Sequence, residues 1–304
     1  MTTNFNTVLP KDIMVFVTDN SKADNDSFNK IREFIIANIF VTPENYFLDP
    51  EFGHLWVSIK SKLQTTLNSL STLPYDSISI QQKGGMTFNY DFAVEFKDIN
   101  NQTVQAFKVE FKNNNSNVKD LAQFLELYDK DCKNKFQLFD YSYSEFYYDN
   151  FLDAYLAIDG AAILKPDKET YLKHVYDIKY KHPFFKHLYE NKNNNKKIKD
   201  TLVELSRTQF LNTFASQFKF EKITEKIRDS QTNKIFLLWD KNDFHLQTLD
   251  VANINIGGIK PNTIKKSCID IQVENFMYNI RIRLNWGNNN GVANPRWKFT
   301  FIDK

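Results

Sequence analysis

The pattern of apolar and polar positions changes period several times along the chain. Residues 27–40 (SFNKIREFIIANIF) have helical spacing with Ser27 as a candidate N-cap, and residues 53–70 repeat it through Leu55, Ile59, Leu63 and Leu67. The period then shortens to two. Residues 77–82 alternate around Ile78 and Ile80, Gly84-Gly85 marks a turn, and residues 90–96 and 104–112 alternate strictly. Residues 118–128 return to helical spacing, so the predicted order is helix, three strands, helix. An aromatic-rich helix is expected over 146–158. A mainly helical stretch follows over 167–230, interrupted at His182-Pro183 and by the polar run 191–199. Strands are expected at 235–239, 244–250, 268–276, 278–286 and 296–302, separated by loops that contain Gly257-Gly258 and residues 287–295. The class is therefore mixed α+β or α/β, in three segments: a core over 1–160 with N-terminal helices, a mainly helical segment over 161–233, and a β-rich region over 234–304.

The hairpin over 89–114 (NYDFAVEFKDINNQTVQAFKVEFKNN) carries the most chemical information. Asn tolerates positive φ, so Asn100-Asn101 suits a two-residue turn. Paired residue numbers then sum to 201: Asp91 faces Glu110, Ala93 faces Lys108, Glu95 faces Ala106 and Lys97 faces Val104. Strand parity puts Tyr90, Phe92, Val94, Phe96, Phe107, Val109 and Phe111 on one apolar face. Asp91, Glu95, Lys108, Glu110 and Lys112 share the other. Two opposed carboxylates repel unless a cation lies between them. Mg²⁺ takes oxygen ligands and is commonly held by one or two carboxylates plus water. Asp91 and Glu110 offer that pair, and Lys112, two residues beyond Glu110, can orient a water or stabilise charge on a phosphate. The same face also reads as an ordinary solvated, salt-bridged hairpin surface.

Asp91 followed by Glu110-Phe111-Lys112 resembles the PD-(D/E)xK signature of restriction-endonuclease-like nucleases. The resemblance spans roughly residues 50–130 and departs from the name at Asn89-Tyr90, where the Pro would stand. It implies an αβββαβ core with the Asp and the (D/E)xK on neighbouring strands. It further implies metal binding by Asp91 and Glu110 and a catalytic role for Lys112. Some members add a Glu from an upstream helix and a Gln from the following helix; Glu33 and Gln123 are the candidates here.

Composition adds a charge asymmetry. Residues 1–159 carry 14 Lys+Arg against 22 Asp+Glu, and residues 160–304 carry 25 against 15, a balance of −8 and then +10. A basic half points to a polyanionic partner, unless the charges only pair internally. The C-terminal strands supply candidate contacts to nucleic acid in Arg281, Arg283, Asn288, Arg296 and Lys298, because Arg and Asn suit bidentate contacts to bases. A half-buried strand with a solvated Arg face is the plain alternative. The two cysteines, Cys132 and Cys268, exclude a disulfide scaffold, and Cys132 lacks the neighbours of a nucleophile. His174, His182 and His187 lack zinc-site spacing, and no phosphate-binding or dinucleotide-binding glycine loop occurs. No apolar run reaches membrane-spanning length and the N-terminus has no secretory pattern, so an intracellular protein, cytoplasmic or nuclear, is expected.

Together these features predict a Mg²⁺-dependent deoxyribonuclease, with Mn²⁺ as an alternative ion. It would act as an endonuclease, plausibly sequence-specific in the restriction manner, and as a homodimer where both strands are cut. The alternatives are a nucleic-acid-binding protein on the same scaffold that does not cut, and a protein-interaction protein using its aromatic surface.

Overall fold

The computed structural model describes residues 8–19, 24–84, 88–160, 163–177, 182–259, 267–287 and 294–304. The fold is mixed α+β. The chain forms two compact units, one of Met1–Leu121 with Ser230–Leu249 and one of Ala122–Asp229 with Asp250–Lys304.

The first unit begins with a 3-10 helix, Pro10–Phe16, started by Pro10 and by the Asp12 carboxylate, which accepts from Leu9 N. Helices α1 (Asn25–Asn38), α2 (Glu44–Phe47) and α3 (Gly53–Asn68) follow. In α3 the buried stripe is Trp56, Ile59, Leu63 and Leu67, so Trp56 takes the inward position that periodicity gave to Leu55. The Trp56 indole also donates to Pro10 O at 2.8 Å, tying the two helices. Gly53 starts α3 where a Cβ would lie 2.4 Å from Phe47 O, so any larger residue would displace α2.

Strands β1 (Ser77–Gln82), β2 (Phe92–Lys97) and β3 (Thr103–Asn113) form an antiparallel meander. In the second unit β4 (Leu125–Tyr128) comes next in sequence; β5 (Lys234–Trp239) and β6 (Phe244–Thr248) then return to the first sheet, whose order is β1-β2-β3-β5-β6. β5 runs parallel to β3 and antiparallel to β6. β5 and β6 thus complete this sheet rather than belonging to the C-terminal β region. The β2–β3 register has the expected sum, with Phe92 opposite Val109 and Glu95 opposite Ala106. It slips after Phe96, so Lys97 pairs with Thr103 and not Val104. The loop is longer than two residues because Asp98 accepts from Asn100 N and Gln102 N, with Asn101 at φ 61°. Phe92, Val94, Phe96, Val109 and Phe111 are buried beneath α1 and α3, while Tyr90 and Phe107 are only partly covered.

The second unit holds α4 (Asp129–Asn134), α5 (Tyr143–Asn150), α6 (Leu152–Ala157), α7 (Lys168–His174), α8 (Pro183–Glu190), α9 (Lys196–Phe214) and α10 (Phe220–Gln231), whose C-terminal end leads into β5. Its sheet has the order β4-β10-β9-β8-β7, with β7 (Asn255–Ile259), β8 (Cys268–Glu274), β9 (Asn279–Gly287) and β10 (Asn294–Ile302). The helix expected over 118–128 is absent. A 3-10 turn, Val118–Asp120, leads into β4, where Leu127 pairs with Trp297 and Leu125 with Phe299. The ring of Phe124 stacks on Phe301 at 4.1 Å, so packing on β10 overrides the local helical spacing. The expected 146–158 helix is two helices that meet at Phe151, whose φ of −130° breaks the run. At the centre of this unit Asp129 is fully buried, accepting from Trp297 Nε1, Ser144 N and Oγ, Tyr143 N and the Tyr176 hydroxyl. Burial raises its proton affinity against those donors. No helix among the described residues is long and apolar enough to cross a membrane.

Candidate functional site

Asp91 directly precedes β2; its N donates to Val109 O at 3.0 Å, the residue that Phe92 already pairs with, so the regular pairing of β2 with β3 ends at Phe92. Asp91 thus does not pair directly with Glu110 across the strands; its side chain reaches the Glu110-Phe111-Lys112 triplet instead. One carboxylate oxygen of Asp91 is fixed by Phe111 N at 2.8 Å, inside the Glu110-Phe111-Lys112 triplet itself. Glu110 is held between two ammonium groups. Lys112 Nζ lies 2.6 Å from Oε1, and Lys234 Nζ lies 2.6 Å from Oε2. Lys234 is buried at 4% side-chain exposure and Glu110 is mostly covered at 12%, whereas Lys112 is 31% exposed and so reaches solvent.

Glu33, on α1, joins the cluster from the helical layer. Gln82 Nε2, at the end of β1, donates to Glu33 Oε2 at 3.3 Å. Burial first, then the charge of Asp91, pushes the Glu33 carboxyl up to about 7; Gln82, Lys112 and Lys30 only partly oppose this. Asp91 is raised for the same reasons, burial first and then Glu110, against Lys112, the Phe111 amide and Lys234. Burial disfavours charge on Lys112 too, but Glu110, with Asp91 and Glu33 behind it, outweighs burial and holds the ammonium above its ordinary value. Lys112 is therefore protonated near neutrality and suited to charge stabilisation rather than to proton abstraction. Three carboxylates and two lysines thus share one site, and Glu33 and Asp91 retain a surplus proton affinity that a further cation would relieve.

The structure brings Asp91, Glu110, Lys112 and Glu33 together. Gln123 is elsewhere: it precedes β4 in the second unit, where its Nε2 donates to Glu126 at 2.6 Å. Lys234 is the residue that sequence reasoning missed. Its signal is a charged residue opening an otherwise apolar strand, and only the parallel pairing of β5 with β3 directs it to Glu110. Among the described residues no three His, Cys, Asp or Glu side chains form a ready metal cluster. The donor set is the two-carboxylate kind that Mg²⁺ completes with water.

The C-terminal cations lie on one face of the second sheet, each with a partner. Arg281 forms a two-pronged pair with Asp270 at 2.6 and 2.7 Å. Arg283 Nε donates to Cys268 Sγ. Arg296 and Lys298 share Glu126, and the Arg296 guanidinium also covers the Tyr128 ring. Burial would raise the proton affinity of Glu126, but Arg296 and Lys298 outweigh it and hold the carboxyl below its ordinary range. Asn288 lies outside the described residues. Summed by compact unit, the charge asymmetry shrinks to 13 Lys+Arg against 16 Asp+Glu in the first and 26 against 21 in the second. Cys132 is buried, and burial first, then Asp129 and Asp131, pushes its thiol well above the ordinary range, away from nucleophilic use.

No family model matches the chain, and no curated protein matches it significantly.

Proposed function

We propose that the chain is a divalent-metal-dependent nuclease of the PD-(D/E)xK kind that hydrolyses DNA phosphodiesters. The observation that carries this reading is the joining of Asp91, just before β2, with Glu110 and Lys112 on the neighbouring β3, and with Glu33 approaching from a preceding helix. Helices followed by a three-strand meander, with β5 beside β3, support the αβββαβ core that this family uses, although the segment directly after β3 is not a helix.

Asp91 and Glu110 would hold Mg²⁺ or Mn²⁺, which supplies Lewis-acid stabilisation and a more acidic water. The chain's own residues contribute orientation and charge. The Phe111 amide fixes Asp91, so its remaining oxygen is presented in one direction. Lys234 fixes Glu110 from the buried side. Lys112, protonated and reaching solvent, donates to a phosphate oxygen as negative charge builds there. Restriction-like sequence specificity and a homodimer that cuts both strands are finer parts of the same proposal.

The test is incubation of plasmid and linear DNA with the protein in Mg²⁺ or EDTA, beside Asp91→Ala and Lys112→Ala. Cutting that needs metal and is lost in both variants supports the proposal, and discrete fragments support sequence specificity. Salt-sensitive DNA binding without cutting, unchanged in both variants, favours the non-cutting binding protein instead.

A further inference from the structure

The segment that delivers Asp91 also carries an exposed Phe88 beside a half-buried Tyr90. Phe88 is 41% exposed, unusual for a Phe, and its ring meets Tyr90 edge-on at 5.5 Å. Lys83 Nζ lies 5.7 Å from the Phe88 ring and Lys108 Nζ 5.9 Å from the Tyr90 ring. Lys108 has no carboxylate partner among the described residues, and Lys83 bonds only the neutral Gln81 amide at 3.1 Å. Both charges are therefore available to an anion.

The platform is anchored rather than loose. Lys83 N donates to Asp91 O at 2.7 Å, Gly84 N donates to Tyr90 O at 3.3 Å, and the Asn89 amide donates to Ser230 O at 2.8 Å. Tyr90 adjoins Asp91 in sequence. Lys108 and Glu110 are two residues apart on one face of β3, so their Cα atoms are about 7 Å apart. An exposed aromatic flanked by unneutralised lysines is the arrangement that binds single-stranded nucleic acid, by base stacking and by phosphate contact. A double helix presents its bases to such a ring only where they are unstacked.

Resting on the nuclease reading, we propose that Phe88 is a stacking platform for an unpaired DNA base beside the scissile phosphate. Lys83 and Lys108 contact the neighbouring phosphates. The preferred substrate is single-stranded DNA or duplex DNA with an unpaired base at the site. Phe88 is a positioning residue and touches no reacting atom.

The experiment is anisotropy of a labelled single-stranded oligonucleotide in EDTA, where no cutting intervenes. The same strand with one abasic position and the matching duplex are run beside it, with wild type, Phe88→Ala, Phe88→Trp and Lys108→Ala. Stacking is lost at about 1–3 kcal/mol per base, so Phe88→Ala should weaken single-strand binding about ten-fold. Phe88→Trp should keep it. An abasic position should weaken wild type when it occupies the platform and leave Phe88→Ala unaffected. Lys108→Ala should lower the slope of log affinity against log salt by about 0.7. Equal binding by wild type and Phe88→Ala overturns the proposal, as does equal wild-type affinity for strand and duplex. Absence of any binding by wild type overturns it, while cutting in Mg²⁺ decides the nuclease reading separately. Phe88-dependent binding in a protein that does not cut in Mg²⁺ leaves the platform standing and removes the nuclease reading alone. Unaltered thermal unfolding of Phe88→Ala separates a lost contact from a lost fold.

Discussion

Glu33→Gln tests the electrostatic account of the site without removing any residue assigned to bind metal. Glu33 has its proton affinity raised from 4.5 to about 7 in the folded chain by burial and by Asp91. Between those values the folded state keeps a proton that the unfolded state releases, so stability falls as pH rises from about 4.5 to 7 and stays low above that. The full shift corresponds to about 3 kcal/mol. Solvent screening at this partly exposed carboxylate reduces the expected cost to about 1–2 kcal/mol. Gln keeps the shape and neutrality of the protonated acid. It should therefore leave stability at pH 4.5 nearly unchanged and raise it by about 1–2 kcal/mol at pH 8. Native-state hydrogen exchange read on peptides from α1 and β1 to β3 measures this within the first unit, which matters because a chain of two units need not unfold in one step. A Glu33→Gln protein less stable than wild type at pH 8 would refute the reasoning, since it would make Glu33 a favourably paired carboxylate.

Further outcomes follow from the same contacts. Lys234→Met should cost about 1–3 kcal/mol, less than an orphaned buried charge because Lys112 still pairs with Glu110, and urea unfolding measures it. The same change removes a cation that lowers the Asp91 proton affinity, so the acid limb of any cleavage profile should move to higher pH. Phe96→Ala, which empties a fully buried position against Tyr75 and Phe107, should cost about 3–5 kcal/mol by the same unfolding measurement.

The elements with strong, locally consistent patterns were legible. The β2–β3 register follows from strict alternation with large aromatics on one face, since a one-residue slip would bury Glu95 and Lys108. That register puts Glu110 and Lys112 on one face of β3, whereas Asp91 reaches them through its carboxylate on Phe111 N, which alternation alone does not foretell. Lys234 was not legible, because a parallel pairing across more than a hundred residues leaves no local trace. β4 was missed for a related reason: its apolar residues have helical spacing, and only pairing with β10 selects the strand. Gly257-Gly258 reads locally as a loop, yet β7 pairs with β8 there, with a register shift between Ile256 and Gly258. The charge halves drawn along the sequence did not coincide with compact units, because β5 and β6 return to the first sheet.

The most direct test of the central claim is single-turnover cleavage of an end-labelled DNA strand with protein in excess, comparing wild type with Glu110→Gln and Lys112→Met in Mg²⁺. Removal of one group that stabilises transition-state charge costs about 10²–10³ in rate. The account predicts a loss of at least that size in each variant, with strand affinity retained and no wild-type cutting in EDTA. Cleavage by either variant at the wild-type rate, or wild-type cleavage in EDTA, would contradict it.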